Sequence, residues 1–275
     1  MIQIYASNGA FITRYNGRDY HHIAKYAPMI ECDGIEFLMY LVWKDEVADV
    51  RRFLKSTRLS FPVMHLDKEI GGTLSEAGME GRDEAIRIFQ RDLDTAEEIG
   101  SRKLVLHLWN GPHSDAHFED ILPLFAQMQD MASRRQMELT AENVTCVKSV
   151  CLDHLKKMHA LFPGVHFTYD TKMAELHGEN ELLAREDYIS LLTDGAISHL
   201  HVNDTKLSSG MDRLPIMHIG DGCVKFDRFF SLLKKTGYSG TATVESTSVY
   251  EDGSVDIGKL NRSIRTVREM LNKPG

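Results

Sequence analysis

Seven side chains able to bind a metal ion or carry a proton stand at the ends of short apolar runs: Glu36, His65, His107, Glu142, Asp170, His201 and Glu245. One acid at the end of such a run is ordinarily a solvated strand end. Several gathered on one surface are different, because crowded carboxylates repel and raise at least one pKa unless a cation neutralises them. The stretch HVNDTK (201–206) sharpens the point, placing His201, Asn203, Asp204 and Lys206 straight after an apolar run. Buried polar groups cost free energy unless they are paired or bound. Glu142, Asp170, His201 and Glu245 form the expected ligand set. Three carboxylates and one imidazole make a hard, oxygen-rich site, which suits Mn²⁺ or Mg²⁺ and tolerates Co²⁺ or Zn²⁺.

The elements that must position these residues alternate regularly. Strand candidates run over 2–7, 34–39, 61–66, 103–108, 138–143, 166–170, 197–203 and 241–246, and amphipathic helical patterns over 82–100, 119–135, 147–162, 225–237 and 257–271 separate several of them. In RDEAIRIFQRDLDTAEEIG (82–100) apolar residues recur three and four apart and a Gly follows the last turn, as at a helix C-terminus. Eight such units predict parallel strands joined by crossover helices and closed into one (β/α)8 TIM barrel over residues 1–275. No Gly-rich fingerprint follows the first strand, which argues against an open dinucleotide-binding sheet. In a (β/α)8 barrel the C-terminal strand ends converge on one face, and that face carries the chemistry. The separations of the four ligands, 28, 31 and 44 residues, fit successive strand–helix units with a long loop after the seventh strand.

Composition narrows the function. The formal charge is −8, and Lys and Arg are spread along the chain without a basic block, which weighs against a phosphate backbone as main partner. The N-terminus lacks the pattern of a secretory leader and no apolar run approaches the length of a membrane span, so a cytoplasmic protein with neither nucleic-acid nor membrane partner is expected. The four cysteines form no C-x-x-C pair and are expected to be reduced thiols.

GIE at the second strand, AEN at the fifth, YD at the sixth, HVND with HIGDG at the seventh and GYSGTATVES at the eighth carry a resemblance. In order and spacing the chain resembles the xylose-isomerase-like TIM-barrel superfamily, which holds sugar and sugar-phosphate isomerases and epimerases, inosose dehydratases, hydroxypyruvate isomerases and endonuclease IV. The resemblance covers nearly the whole length. It implies a single divalent ion on Glu142, Asp170, His201 and Glu245 for the sugar-converting branch. The endonuclease branch, with three zinc ions, implies a further histidine where this chain has Met173 and an Asp-x-His in the loop after the seventh strand, where it has Leu214 and Ile216. Abasic-site cleavage is therefore the alternative function.

A divalent ion with open positions acidifies the C–H beside a chelated carbonyl by stabilising the enediolate. Glu142 and Glu245 are expected to take and return the proton. Return to the neighbouring carbon isomerises, return to the opposite face epimerises, and loss of a β-hydroxyl dehydrates. The expected substrate is a small carbohydrate or keto-polyol, free or phosphorylated. His107 is expected to bind a hydroxyl or shuttle its proton, His65 and Glu36 to contact substrate, and Lys206 to offer a cation for a phosphate or carboxylate, while Arg213 on the same loop reads as ordinary surface charge. Asn203 and Asp204 are expected to hydrogen-bond around the metal ligands. The GDG turn at 220–222 either presents backbone N–H groups to an anion or is a plain tight turn.

Overall fold

Every one of the eight apolar runs forms a strand in the computed structural model, which describes residues 1–75, 79–110, 117–146, 150–207 and 214–272. The strands are β1 (Ile4–Ser7), β2 (Ile35–Leu38), β3 (Val63–His65), β4 (Lys103–Leu106), β5 (Glu138–Glu142), β6 (His166–Asp170), β7 (Ile197–Val202) and β8 (Thr241–Val244). They pair in chain order and the ring closes where β8 lies parallel to β1. This is the expected (β/α)8 barrel. The chain forms two compact units: residues 1–36 with 169–275, and residues 37–168.

In the first unit, β1 pairs with β2 (Ser7 opposite Glu36) and with β8, and β7 pairs with β8 so that His201 stands opposite Thr243. Its helices are α1 (His22–Tyr26), and after β6 α7 (Thr171–Leu176), α8 (Glu179–Leu182), α9 (Ser190–Thr193), α10 (Phe226–Lys235) and α11 (Ile257–Asn272). Helix α11 buries Leu260, Ile264, Val267 and Leu271, spaced four, three and four apart, along one face. Its polar face pairs Arg265 with Glu31 and Arg268 with Asp33. Helix α10 buries Phe226, Phe229, Phe230 and Leu233, and the chain leaves it through Gly237 at φ 74°, a left-handed stop suited to glycine.

In the second unit, β3, β4 and β5 pair in parallel, and β6 enters beside β5 with Thr168 opposite Glu142. Its helices are α2 (Val47–Thr57), α3 (Glu69–Ser75), α4 (Met79–Ile99), α5 (Phe118–Arg134) and α6 (Cys151–Leu161). Helix α4 buries Ala85, Phe89, Leu93 and Ala96 at helical spacing. The helix expected over 147–162 begins at Cys151; residues 147–149 lie outside the described residues. Helix α2 was not expected, because only Val50 and Leu54 of its eleven residues are buried. Arg51 anchors it, donating to Thr95 Oγ1 at 2.9 Å and pairing with Glu98 at 3.0 Å. No helix among the described residues is long and apolar enough to cross a membrane, and the four cysteines are free thiols.

Candidate metal centre

The side chains of β7 alternate, so His199 and His201 point the same way. They meet the carboxylate of Glu36, which is the second residue of β2 and not its end as the apolar run suggested. His199 Nε2 lies 3.0 Å from Glu36 Oε2 and His201 Nε2 lies 2.9 Å from Glu36 Oε1. Thr243 Oγ1 donates to Glu36 Oε2 at 2.5 Å, and His199 Nδ1 reaches Thr241 Oγ1 at 2.7 Å. Glu36, His199, His201 and Thr243 are all fully buried. Burial pushes the Glu36 carboxyl up, but His201 and His199 beside it outweigh burial and hold it well below the usual carboxylate range.

An ionised carboxylate only accepts, so His201 Nε2 must carry the hydrogen it shares with Glu36. In the neutral ring that binds a metal, Nδ1 then carries the lone pair, and it lies 3.7 Å from Glu245 Oε2. Such a carboxylate–imidazole pair fixes the ring and raises its basicity as a ligand.

Asp170 ends β6 and caps α7. Its Oδ1 accepts from the N–H groups of Lys172 (2.7 Å) and Met173 (2.9 Å), which leaves Oδ2 for other partners. Asn203, just past β7, places Nδ2 at 3.3 Å from Asp170 Oδ2 and at 3.3 Å from Glu245 Oε2, bridging the two acids. Thr171 holds this corner together, its hydroxyl donating to Asn203 O at 2.7 Å. One ligand atom each from Asp170, His201 and Glu245 lies within 4.8 Å of the others. Glu245, with its side chain 16% exposed, is the member of this trio that reaches solvent; the other two are buried. Two carboxylates sharing one amide, with an imidazole lone pair beside them, form a donor set that fits a divalent cation. Asn203 Oδ1 is buried with no hydrogen-bond partner among the described residues, a further polar atom at the same corner.

In the second unit Glu142 ends β5 beside two histidines. His107 Nε2 lies 2.7 Å and His65 Nε2 3.3 Å from Glu142 Oε2, and the two rings are 4.9 Å apart. His65 Nδ1 is tied to Leu66 O at 2.9 Å. Burial pushes His107 down to about 3 despite the nearby Glu142, so its ring is neutral at neutral pH.

Several expected roles change. Glu36, expected to touch substrate, has both oxygens engaged by His199, His201 and Thr243 inside the barrel and acts on His201 instead. Asp204, expected beside the metal ligands, turns away and pins the loop after β7. Its oxygens accept from the N–H groups of Thr205 (2.9 Å), Gly220 (3.0 Å), Gly222 (2.8 Å) and Val224 (3.1 Å). The GDG turn therefore holds an anion that belongs to the chain itself. Asn203 stands where it was expected, against two of the acids. Lys206 is exposed, and Arg213 lies outside the described residues. Sequence reasoning missed His199 and Thr243, although the period-two pattern of β7 and β8 contains both. It also missed Lys172, buried two residues after Asp170.

The chain belongs to the xylose isomerase-like TIM barrel family, whose model matches residues 25–272. Among curated proteins it is 25% identical over 198 residues to "Putative L-ribulose-5-phosphate 3-epimerase SgbU" of Haemophilus influenzae, a match covering 69% of this chain and 63% of that protein. The chain thus spans somewhat less than two thirds of that relative's length. Among solved structures, D-allulose 3-epimerase from Methylomonas sp. in complex with D-allulose superposes with a TM-score of 0.72 at 16% identity, covering 98% of this chain and 97% of that one. L-ribulose 3-epimerase gives a TM-score of 0.72 at 14% identity, covering 98% and 95%.

Proposed function

We propose that the protein is a divalent-metal-dependent epimerase or isomerase of a small sugar or sugar phosphate, working by proton abstraction next to a carbonyl. Asp170, His201 and Glu245 hold the ion, and Glu142, the acid that the strand pattern places at the end of β5, is the fourth ligand. When bound, Mn²⁺ or a similar ion supplies Lewis acidity to a chelated hydroxy-ketone and so lowers the barrier to removing the adjacent proton.

The remaining steps belong to the chain's own groups. Glu36 keeps His201 in the tautomer that presents Nδ1. Glu245, the solvent-reaching carboxylate, takes the proton, and Glu142 returns it from the other side. His65 and the neutral His107 bind substrate hydroxyls, and exposed Lys206 suits a terminal phosphate. The convergence of Asp170, His201 and Glu245, with His201 Nε2 tied to Glu36, is the observation that carries this reading. The similar curated protein and the two similar solved structures bear the names of 3-epimerases of ribulose phosphate, allulose and ribulose, which favours epimerisation over isomerisation or dehydration.

The test is a panel of ketoses, aldoses and their phosphates in D₂O with added Mn²⁺. Deuterium should enter one carbon beside a carbonyl, stop on chelation and resume when the ion is restored. A manganese-loaded protein that exchanges no proton across the panel contradicts the proposal.

A further inference from the structure

Lys172 sits near the start of α7 with its side chain only 7% exposed. Among the described residues its ammonium makes no hydrogen bond, and its one ionic neighbour there is Asp170 Oδ2 at 3.8 Å, beyond hydrogen-bonding reach. The placement is unfavourable on two counts. A buried charge without close partners is costly, and the first turn of a helix already presents positive backbone N–H groups. A lysine held there is best satisfied by an anionic oxygen nearer than any the described residues offer.

Asp170 Oδ2 cannot fully provide it. Oδ1 is engaged in capping α7, so Oδ2 is the oxygen left for a divalent ion. An ammonium and a dication beside one carboxylate oxygen repel each other, more strongly where water is excluded. Of its two chain neighbours, the Thr171 hydroxyl already accepts from the Asn203 N–H and donates to Asn203 O, and the Met173 thioether is only a weak acceptor.

We propose that Lys172 is a substrate-binding residue, its ammonium receiving an oxygen that bears or develops negative charge beside the reacting carbonyl. The site would take α-hydroxy-carbonyl compounds by this oxygen and accept small α-hydroxy carboxylates as mimics. The proposal rests on the metal-centre reading above and adds to it the group that holds the substrate's charge.

Glycolate, a hydroxyl next to a carboxylate, is the probe. Its binding to the manganese-loaded protein is measured by calorimetry for the parent, Lys172→Met, Lys172→Gln and Lys172→Arg, with manganese affinity measured separately by the electron paramagnetic resonance of free Mn²⁺. Losing a charge-assisted hydrogen bond should weaken glycolate by about tenfold or more in the Met and Gln variants, with partial recovery in Arg. Manganese should bind these two variants as tightly as the parent or tighter, since a repelling charge has gone, which also shows that they fold.

Equal glycolate affinity in parent, Met and Gln proteins, or no glycolate binding to the loaded parent, overturns the proposal and makes Lys172 a mere counter-ion. A parent that binds glycolate through Lys172 yet exchanges no sugar proton keeps this site and sinks the epimerase reading. A parent that takes up no manganese removes both.

Discussion

Nε2 of His201 lies 2.9 Å from Oε1 of Glu36, and neither side chain is exposed to solvent. The contact decides which nitrogen of His201 is available, because a carboxylate held ionised can only accept. It converts a histidine that has two possible tautomers into a ligand with one.

Glu36→Gln should therefore weaken manganese binding by about 10–100-fold, the usual consequence of losing the partner that orients a ligating histidine. The amide cannot accept at both positions from His199 and His201, and a buried donor left unpaired costs about 1–3 kcal/mol of stability. Metal titration and urea denaturation of the same preparation measure the two effects independently.

Asn203→Asp replaces the amide that bridges Asp170 and Glu245 with a third acid. Without a divalent ion the variant should lose about 3–5 kcal/mol, as when a buried charge is left uncompensated. With saturating Mn²⁺ much of the loss should be recovered. Thermal unfolding with and without chelator checks this, and a metal-induced rise in Tm larger than the parent's is expected.

Gly222→Ala tests the internal anion site. A Cβ at this position would lie 2.2 Å from Asp204 Oδ1 and 2.2 Å from Thr205 O, so the loop must shift. Overpacking of this kind costs roughly 1–3 kcal/mol. Asp204→Asn should loosen the same loop, raising hydrogen exchange at the Gly220, Gly222 and Val224 amides. It should leave manganese affinity unchanged, since Asp204 faces that loop and not the acids.

His218 sets a pH dependence of stability. Its Nδ1 meets Ser263 Oγ at 2.9 Å and its Nε2 faces Ser248 Oγ at 3.4 Å. Burial and then Lys259 push its pKa below 6.5, against the smaller opposing pull of Asp221, the Thr247 backbone carbonyl and Asp256. Below pH 6.5 the unfolded chain then binds more protons than the folded one, so stability falls as the pH drops through this range and is unaffected by His218 above it. Urea midpoints measured from pH 7.5 to 5 should decline for the parent and decline less steeply for His218→Gln.

Much of this architecture was legible in the sequence because strand burial and metal chemistry leave coarse signatures. Apolar runs ending in Glu142, Asp170, His201 or Glu245 mark the strand and its end to within one residue, and long periodic helices such as α4 and α11 announce themselves. Helices α7, α8 and α9 are too short for a period to show, and α2 is too highly charged. The role of Glu36 was misread because its partners, His199, His201 and Thr243, are far along the chain and meet it only after β1 brings β2 and β8 together. Asp204 was misread for the opposite reason: nearness in sequence to His201 suggested shared work, while alternation along the chain turned it toward the loop. Lys172 left no signal, since nothing in TKMAEL distinguishes a buried lysine from an exposed one.

Anomalous diffraction from crystals grown with excess Mn²⁺ tests the proposed centre most directly. One strong peak is expected, bonded to Asp170 Oδ2, Glu245 and the Nδ1 of His201, with Nε2 still on Glu36. An absence of manganese at these side chains, or an ion bound through Nε2 with the Glu36 contact broken, would contradict it.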